Sequence, residues 1–383
     1  MNTARKLTSP IVVIVLCSAF ALLSILATAP CVLAEDAPTV SPAWHNAPSD
    51  KSTPEMDQHS SCCGVGDTHG LSWVDQNVPA KAQILCIHGL GLCARAYEEF
   101  GKRMSQKGIA VYAIDVRGFG PRSHKPEGKK LDLNKAVEDV RAVLDSIHCK
   151  HPDRPIFLVG ESMGGSIAIR TAALYPNSMS GLICSAPAWR LYKQNTTALK
   201  GLVGLVIQRN CRVGFAATGV IKQATTSASL RQHWLEDDAH KLELSPGEAL
   251  SFIRFIHRTP HNSGQIASTP VLVIQGLHDH LVKPEGAAGL IRRLPTANKT
   301  FAIDCSAEHL ILEEGQFSDE ALMALSSWID NQIAHPNRLA PETLPVGMML
   351  GASKTISPSD ERAARALFGR AGCSYSDKTV RKG

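Results

Sequence analysis

Short, nearly unbroken apolar runs recur along the middle of the chain: Ala82–His88, Ile109–Ile114, Pro155–Val159, Gly181–Cys184 and Pro270–Ile274, with a weaker one at Thr300–Ile303. Runs of this length, rich in β-branched residues and bounded by polar residues or glycine, predict strands buried on both faces of a parallel sheet. Between them the period changes. Val137, Val140, Leu144 and Ile147 share one helical face. Ala96–Gln106 reads as a helix stopped by Gly108, and Ser162–Tyr175 as one ended by Pro176. The alternation predicts an α/β class: a mostly parallel, doubly wound sheet with helices on both faces.

One stretch breaks the alternation. From about 188 to 262 no strand pattern occurs, while Leu199–Gln208 is strongly apolar and Ala249, Phe252, Ile253 and Ile256 fall at helical spacing. An insert of this kind predicts a helical cap over the carboxyl edge of the sheet, where open α/β sheets place ligands. Within it Leu202 and Val206 belong to a run too short to span a bilayer, so protein, an acyl chain or a membrane surface must cover them.

The ends read differently. Arg5 and Lys6 precede an apolar run from Ile11 to Ala29, Pro30 breaks it, and Val32-Leu33-Ala34 has the small residues of a cleavage site. Residues 1–34 therefore predict an export signal or, uncleaved, an N-terminal membrane anchor, and with it an exported (secreted or periplasmic) or membrane-anchored protein. Residues 35–69, rich in Pro, Ser, Asp and His, read as a linker, leaving 70–335 as the main domain. Residues 336–383 read as a basic, poorly ordered tail in which Ser357 caps a short helix reaching Phe368.

Charge narrows the partners. The 383 residues carry 40 basic and 35 acidic side chains, but 10 of the basic and 4 of the acidic ones lie in 1–34 and 336–383. The body thus holds 30 against 31, a net of −1. A neutral body argues against nucleic acid as the main partner. Of 11 cysteines two, Cys17 and Cys31, lie in the signal, leaving nine. An odd number in an exported chain requires a free thiol or an intermolecular bond. Cys86 and Cys184 sit in strand runs and read as small buried hydrophobes, and the adjacent Cys62 and Cys63 as a loop feature without zinc-site spacing.

Gly160-Glu161-Ser162-Met163-Gly164 fits G-x-S-x-G, with an apolar strand before it and a small-residue helix after it. The strained turn between them lifts the serine hydroxyl to the sheet edge, and its neighbours two before and two after must be tiny. A serine needs a base, and His309, in the loop after the last strand run, is the candidate. His88 reads as a loop-shaping residue, and His278 and His280 as surface residues. The base needs an acid: Asp279 follows the run Pro270–Ile274, with Asp304 as a rival on the His309 loop itself. Backbone N–H groups of Met163 and Leu90 are the candidate oxyanion hole, Leu90 lying in His88-Gly89-Leu90-Gly91.

These pieces resemble the α/β-hydrolase superfamily in its monoacylglycerol lipase and lysophospholipase (serine aminopeptidase-like) branch. The resemblance rests on His88–Gly91, the D-x-R-G-x-G run at Asp115–Gly120, Gly160–Gly165, Cys184–Ala188, Gly276–Asp279 and His309 with Glu313, all in family order. It departs at Pro121 and Arg122, which precede Ser123, and at Leu92-Cys93-Ala94 in the early loop. The resemblance implies an α/β-hydrolase fold and a serine hydrolase. Such an enzyme cleaves carboxylic esters of monoacylglycerol or lysophospholipid type through an acyl-enzyme, with no cofactor and no metal. Its partners are then a small-molecule or lipid ester and a membrane surface; the oligomeric state is open. A small-ester esterase or peptidase of the same superfamily and a non-catalytic, membrane-tethered binding protein on this fold remain as alternatives.

Overall fold

The computed structural model describes residues 44–46, 69–124, 130–192, 217–237, 244–336, 346–350 and 356–375. The N-terminal segment 1–34, Cys62 and Cys63, and the apolar run holding Leu202 and Val206 lie outside the described residues.

Ten strands form one sheet: β1 (Trp44–Asn46), β2 (Gly70–Trp73), β3 (Ala82–Ile87), β4 (Ile109–Ile114), β5 (Ile156–Glu161), β6 (Gly181–Ser185), β7 (Val271–Gly276), β8 (Lys299–Asp304), β9 (Val346–Leu350) and β10 (Ser374–Tyr375). Their order across the sheet is β1-β2-β4-β3-β5-β6-β7-β8-β9-β10. Every neighbouring pair is parallel except β2 with β4. β3, β5, β6 and β7 are buried at every position, as uninterrupted apolar strands in a covered parallel sheet must be.

Successive residues of each strand serve opposite faces. Leu85, Ile87, Leu158 and Leu182 join α2 (Leu133–Lys150), α3 (Met163–Leu174), α8 (Pro284–Arg293) and α10 (Pro358–Ala371) in one core cluster. Ile84, Cys86, Phe157 and Ile183 join α1 (Glu98–Ser105) and α9 (Asp319–Ala334) in the other. Between β6 and β7 the described residues form four helices, α4 (Ala217–Ala224), α5 (Ala228–Glu236), α6 (Pro246–His257) and α7 (Thr259–Ser263). α6 opens with a complete capping box, Ser245 with Glu248, and Pro246 in its first turn.

Two expectations fail. Residues 35–69 are not linker throughout, because β1 pairs in parallel with β2. Nor are the described parts of 336–383 a poorly ordered tail. β9 pairs with β8, α10 runs three residues past Phe368, and β10 pairs with β9. The cause is an apolar stripe: Ala364, Leu367, Phe368 and Ala371, at helical spacing, are buried against the sheet. Phe368 meets Phe301 of β8 edge to face at 5.9 Å, and a Cβ at Gly347 would lie 2.8 Å from its ring. The domain therefore runs past 335, and β8 is not its last strand.

Candidate active site

The loops that follow β3, β5, β6, β7 and β8 leave the same, carboxyl, edge of the sheet, and the candidate residues lie on them. Ser162 joins β5 to α3 with φ 53° and ψ −113°, a backbone that side chains other than glycine's rarely hold. Packing enforces it. A Cβ on Gly160 would overlap the backbone of Gly164, and one on Gly164 would overlap the Ile87 carbonyl of β3. The turn is tied down by the Ser162 N–H donating to Ser185 O and the Ala188 N–H donating to Ser162 O, both at 2.9 Å. Met163 opens α3, so its N–H is one of those a helix leaves without an internal acceptor. The positive end of the helix dipole also falls beside the hydroxyl.

The structure brings Ser162, His309 and Asp279 together. His309 Nε2 is 2.9 Å from Ser162 Oγ, and Nδ1 is 2.9 Å from Asp279 Oδ2. A carboxylate only accepts, so the imidazole proton sits on Nδ1 and Nε2 is left to accept from the serine. Asp279 is itself held by the N–H groups of Leu281 and Val282 on Oδ1, each at 2.8 Å, and by Gln275 Nε2 on Oδ2 at 3.0 Å. All three triad side chains are buried. Burial pulls the His309 imidazole down, but the charge and hydrogen bond of Asp279, with the charge of Glu161, outweigh it and raise its pKa above that of an ordinary histidine.

Asp304 has other work. Its Oδ1 accepts from Ser306 N at 2.9 Å, Ser306 Oγ at 2.7 Å and Ala307 N at 3.0 Å, and its Oδ2 from Ser318 Oγ at 3.1 Å. These bonds shape the turn that leads into the histidine loop.

Leu90 lies in the turn between Gly89 and Gly91, whose φ of 90° belongs to glycine. A Cβ on Gly89 would stand 3.6 Å from Ser162 Cβ, which places this turn directly against the serine. His88 shapes it from below. Its Nε2 accepts from Val116 N at 2.9 Å, so its Nδ1 proton goes to Gly89 O at 2.8 Å. The D-x-R-G-x-G run buttresses the same loop. Asp115 accepts from Ala94 N at 2.7 Å and pairs with His69 at 2.8 Å, and Phe119 meets the His88 ring edge to face at 5.7 Å.

Three glutamates carry more than the sequence disclosed. Glu161, the variable residue before Ser162, is fully buried and accepts from the N–H groups of Ile311, Leu312 and Glu313 at 2.5, 2.8 and 3.2 Å. Glu313, also fully buried, accepts from Gly89 N at 2.7 Å. Glu308 accepts from Thr226 N in the cap. A carboxylate closing an apolar strand, as Glu161 closes IFLVG, was the available signal; nothing in the spacing paired it with residues 150 positions away.

Above the site lies a separate apolar cluster. Ile221 and Ala224 of α4 and Leu230 and Trp234 of α5 meet Leu92 and Leu310, with Leu281 packed beside them. Three of the loops that carry candidate site residues thus send one leucine each to the cap: Leu92 near Leu90, Leu281 near Asp279, Leu310 next to His309. Among the described residues no group of His, Cys, Asp and Glu is arranged to hold a metal ion, and no helix is long and apolar enough to cross a membrane. Cys86 and Cys184 are buried and unpaired.

Known proteins resemble this chain in sequence and in fold. Human monoglyceride lipase is 25% identical over 276 residues, covering 70% of this chain and 88% of its own. The monoacylglycerol lipase of Mycolicibacterium smegmatis is 26% identical over 267 residues, covering 67% and 90%. Among solved structures, a soluble variant of monoglyceride lipase from Saccharomyces cerevisiae, in complex with a substrate analogue, superposes with a TM-score of 0.62 at 21% identity, covering 75% of this chain and 97% of its own. The Paleococcus ferrophilus monoacylglycerol lipase gives 0.58 at 21%, covering 70% and 99%. These structures share the α/β-hydrolase fold. The family described as serine aminopeptidase, S33 matches residues 78–316, a span that runs from the first central strand through Ser162, Asp279 and His309 to Glu313. Well over half the chain lies in that match, and the chain belongs to this family of serine hydrolases.

Proposed function

We propose that the protein hydrolyses single-chain carboxylic esters of the monoacylglycerol type through an acyl-enzyme. The observation that carries this reading is the unbroken relay Ser162 Oγ, His309 Nε2, His309 Nδ1, Asp279 Oδ2, with both links at 2.9 Å. Ser162 attacks the ester carbonyl while His309 takes its proton, and Asp279 holds the imidazolium that results. The carbonyl oxygen gains negative charge and is received by the N–H groups of Met163 and Leu90. His309 returns the proton to the leaving alcohol, then activates water to release the acid.

The apolar cluster under α4 and α5 supports a fatty acyl chain, since three site loops and the cap converge there. The relatives are a monoglyceride lipase and a monoacylglycerol lipase, which favours the same substrates. The basic, apolar N-terminal segment supports export or anchoring, with the substrate met at a membrane surface. Acyl glycerols of graded chain length, assayed beside short peptide amides, test the reading. Each buried CH₂ contributes about 0.8 kcal/mol, so kcat/KM climbs by up to about fourfold per carbon until the pocket fills. A preference for acetate esters removes the single-chain lipid and leaves the small-ester reading; cleavage of the amides alone leaves the peptidase.

A further inference from the structure

Glu161 and Glu313 are both fully buried and lie on the two arms that frame the site. Glu161 sits at the end of β5, one residue before Ser162. Its two oxygens take three backbone N–H groups of the loop that carries His309. Glu313 ends that run of N–H groups, and its own Oε1 takes the N–H of Gly89, one residue before Leu90. Its Oε2 has no hydrogen-bond partner. It lies 3.0 Å from where a Cβ on Gly89 would stand. The pair therefore links the nucleophile turn, the histidine loop and the Leu90 turn in one chain of bonds.

Among the described residues no permanent cation faces them. The titratable groups facing the two carboxyls are Cys86 from β3, Tyr97 from the turn at 94–97, and His309 and Glu314 from their own loop. The Tyr97 hydroxyl donates to Ile87 O at 3.1 Å. Of these only His309 can become a cation, when it titrates at lower pH or holds the serine's proton. Two adjacent carboxylates buried without a cation repel each other in a medium that screens poorly. Burial pushes Glu161 up to about 7 against the pull of its three N–H bonds and of His309, while burial and repulsion from Glu161 push Glu313 well above the ordinary range. The donors decide which keeps its charge. Three N–H groups favour Glu161 as the anion, whereas one N–H and an orphan oxygen leave Glu313 as the acid.

We propose that Glu161 and Glu313 are a positioning pair that carries one negative charge, with the proton on Glu313, and that this pair sets the Leu90 turn and the histidine loop in register with Ser162. The negative Glu161 adds to Asp279 in stabilising the His309 imidazolium. The neutral Glu313 holds Gly89 without adding a second charge. This proposal rests on Ser162 and His309 acting as nucleophile and base, but its first test does not.

Infrared difference spectroscopy on the resting enzyme, with no substrate present, reads the proton directly. A buried carboxylic-acid C=O band is expected at pH 7 in wild type and absent in Glu313→Gln. No such band in wild type, or a band that survives Glu313→Gln and vanishes in Glu161→Gln, overturns the assignment even if the variants are poorly folded for kinetics. Kinetics supply the second reading. Glu313→Gln imitates the protonated state and keeps kcat within about threefold of wild type, whereas Glu313→Ala frees Gly89 N–H and lowers kcat about tenfold with KM less affected. Glu161→Gln lowers kcat by about 10- to 100-fold and moves the acid limb of the kcat profile to lower pH, because the imidazolium loses a stabilising charge. Equal damage from Gln and Ala at 313, or an unmoved acid limb in Glu161→Gln, overturns the proposal.

Discussion

Thr226, in the turn between α4 and α5, donates its backbone N–H to Glu308 Oε2 at 2.7 Å, one residue before His309. On the other side of the same cap segment Asp237, which ends α5, pairs with Arg95 just beyond the Leu90 turn. The cap is thus bonded to the loops on either side of the serine, and the apolar cluster lies between the two ties. Glu308→Ala releases one of them. Because the bond lies near the surface its loss is about 1 kcal/mol. KM for long-chain esters is expected to rise about fivefold while kcat on an acetate ester stays within about twofold. Equal effects on both substrates, in steady-state assays, contradict a role for this tie in holding the acyl side of the site.

Ser162→Ala is expected to lower ester hydrolysis about 10⁴-fold or more, and a fluorophosphonate probe should label Ser162 in wild type and nothing in the variant. The backbone strain at φ 53° gives a second comparison. Ser162→Gly is equally inactive but accommodates that backbone, so it should be more stable than Ser162→Ala by about 1 kcal/mol in urea unfolding. Equal midpoints mean that the turn is not strained at this residue.

The raised His309 pKa fixes the sign of two pH effects. The base works when neutral, so kcat/KM rises with pH through a midpoint above the ordinary 6.5. The stabilisation from the charged imidazole is complete below the unfolded histidine's pKa and is lost as pH rises through the folded one. The enzyme thus loses this stabilising contribution as it becomes active. Asp279→Asn lowers the rate about 10⁴-fold and drops the midpoint, whereas Asp304→Asn costs stability with the midpoint kept. A midpoint at or below that of free histidine, or a reversal of the two aspartates, contradicts the relay.

Phe368→Ala tests the C-terminal helix. The ring is buried between Phe301 and Gly347, and its removal is expected to cost about 3–5 kcal/mol, with kcat within about twofold below the melting range. A loss of less than about 1 kcal/mol means that α10 does not dock as described.

The central strands were legible because burial on both faces leaves an unbroken apolar run, and β3–β8 fall within two residues of their sequence limits. Ser162, Asp279 and His309 were legible because each follows such a run at the same sheet edge. The flanking strands were not. β2 reads GLSW and β9 reads VGMML, with few β-branched residues and with glycine inside, and β9 lies among prolines that suggest a tail. The stripe Ala364, Leu367, Phe368, Ala371 was present but short, and its basic setting drew the reading toward solvent. The buried glutamates were hidden for another reason: a carboxylate announces burial only through the groups that surround it.

The sheet also tapers. Its central strands hold five or six residues each, while β1 at one margin holds three and β10 at the other holds two. A long exposed margin would offer a row of unanswered N–H and C=O groups to another chain, and β8, six residues of KTFAID, would be such a margin if it ended the sheet. β9, α10 and β10 therefore act as a guard against polymerisation. Shortening the chain before β9 turns a strand that flanks the active site into a template for self-association, whatever becomes of catalysis.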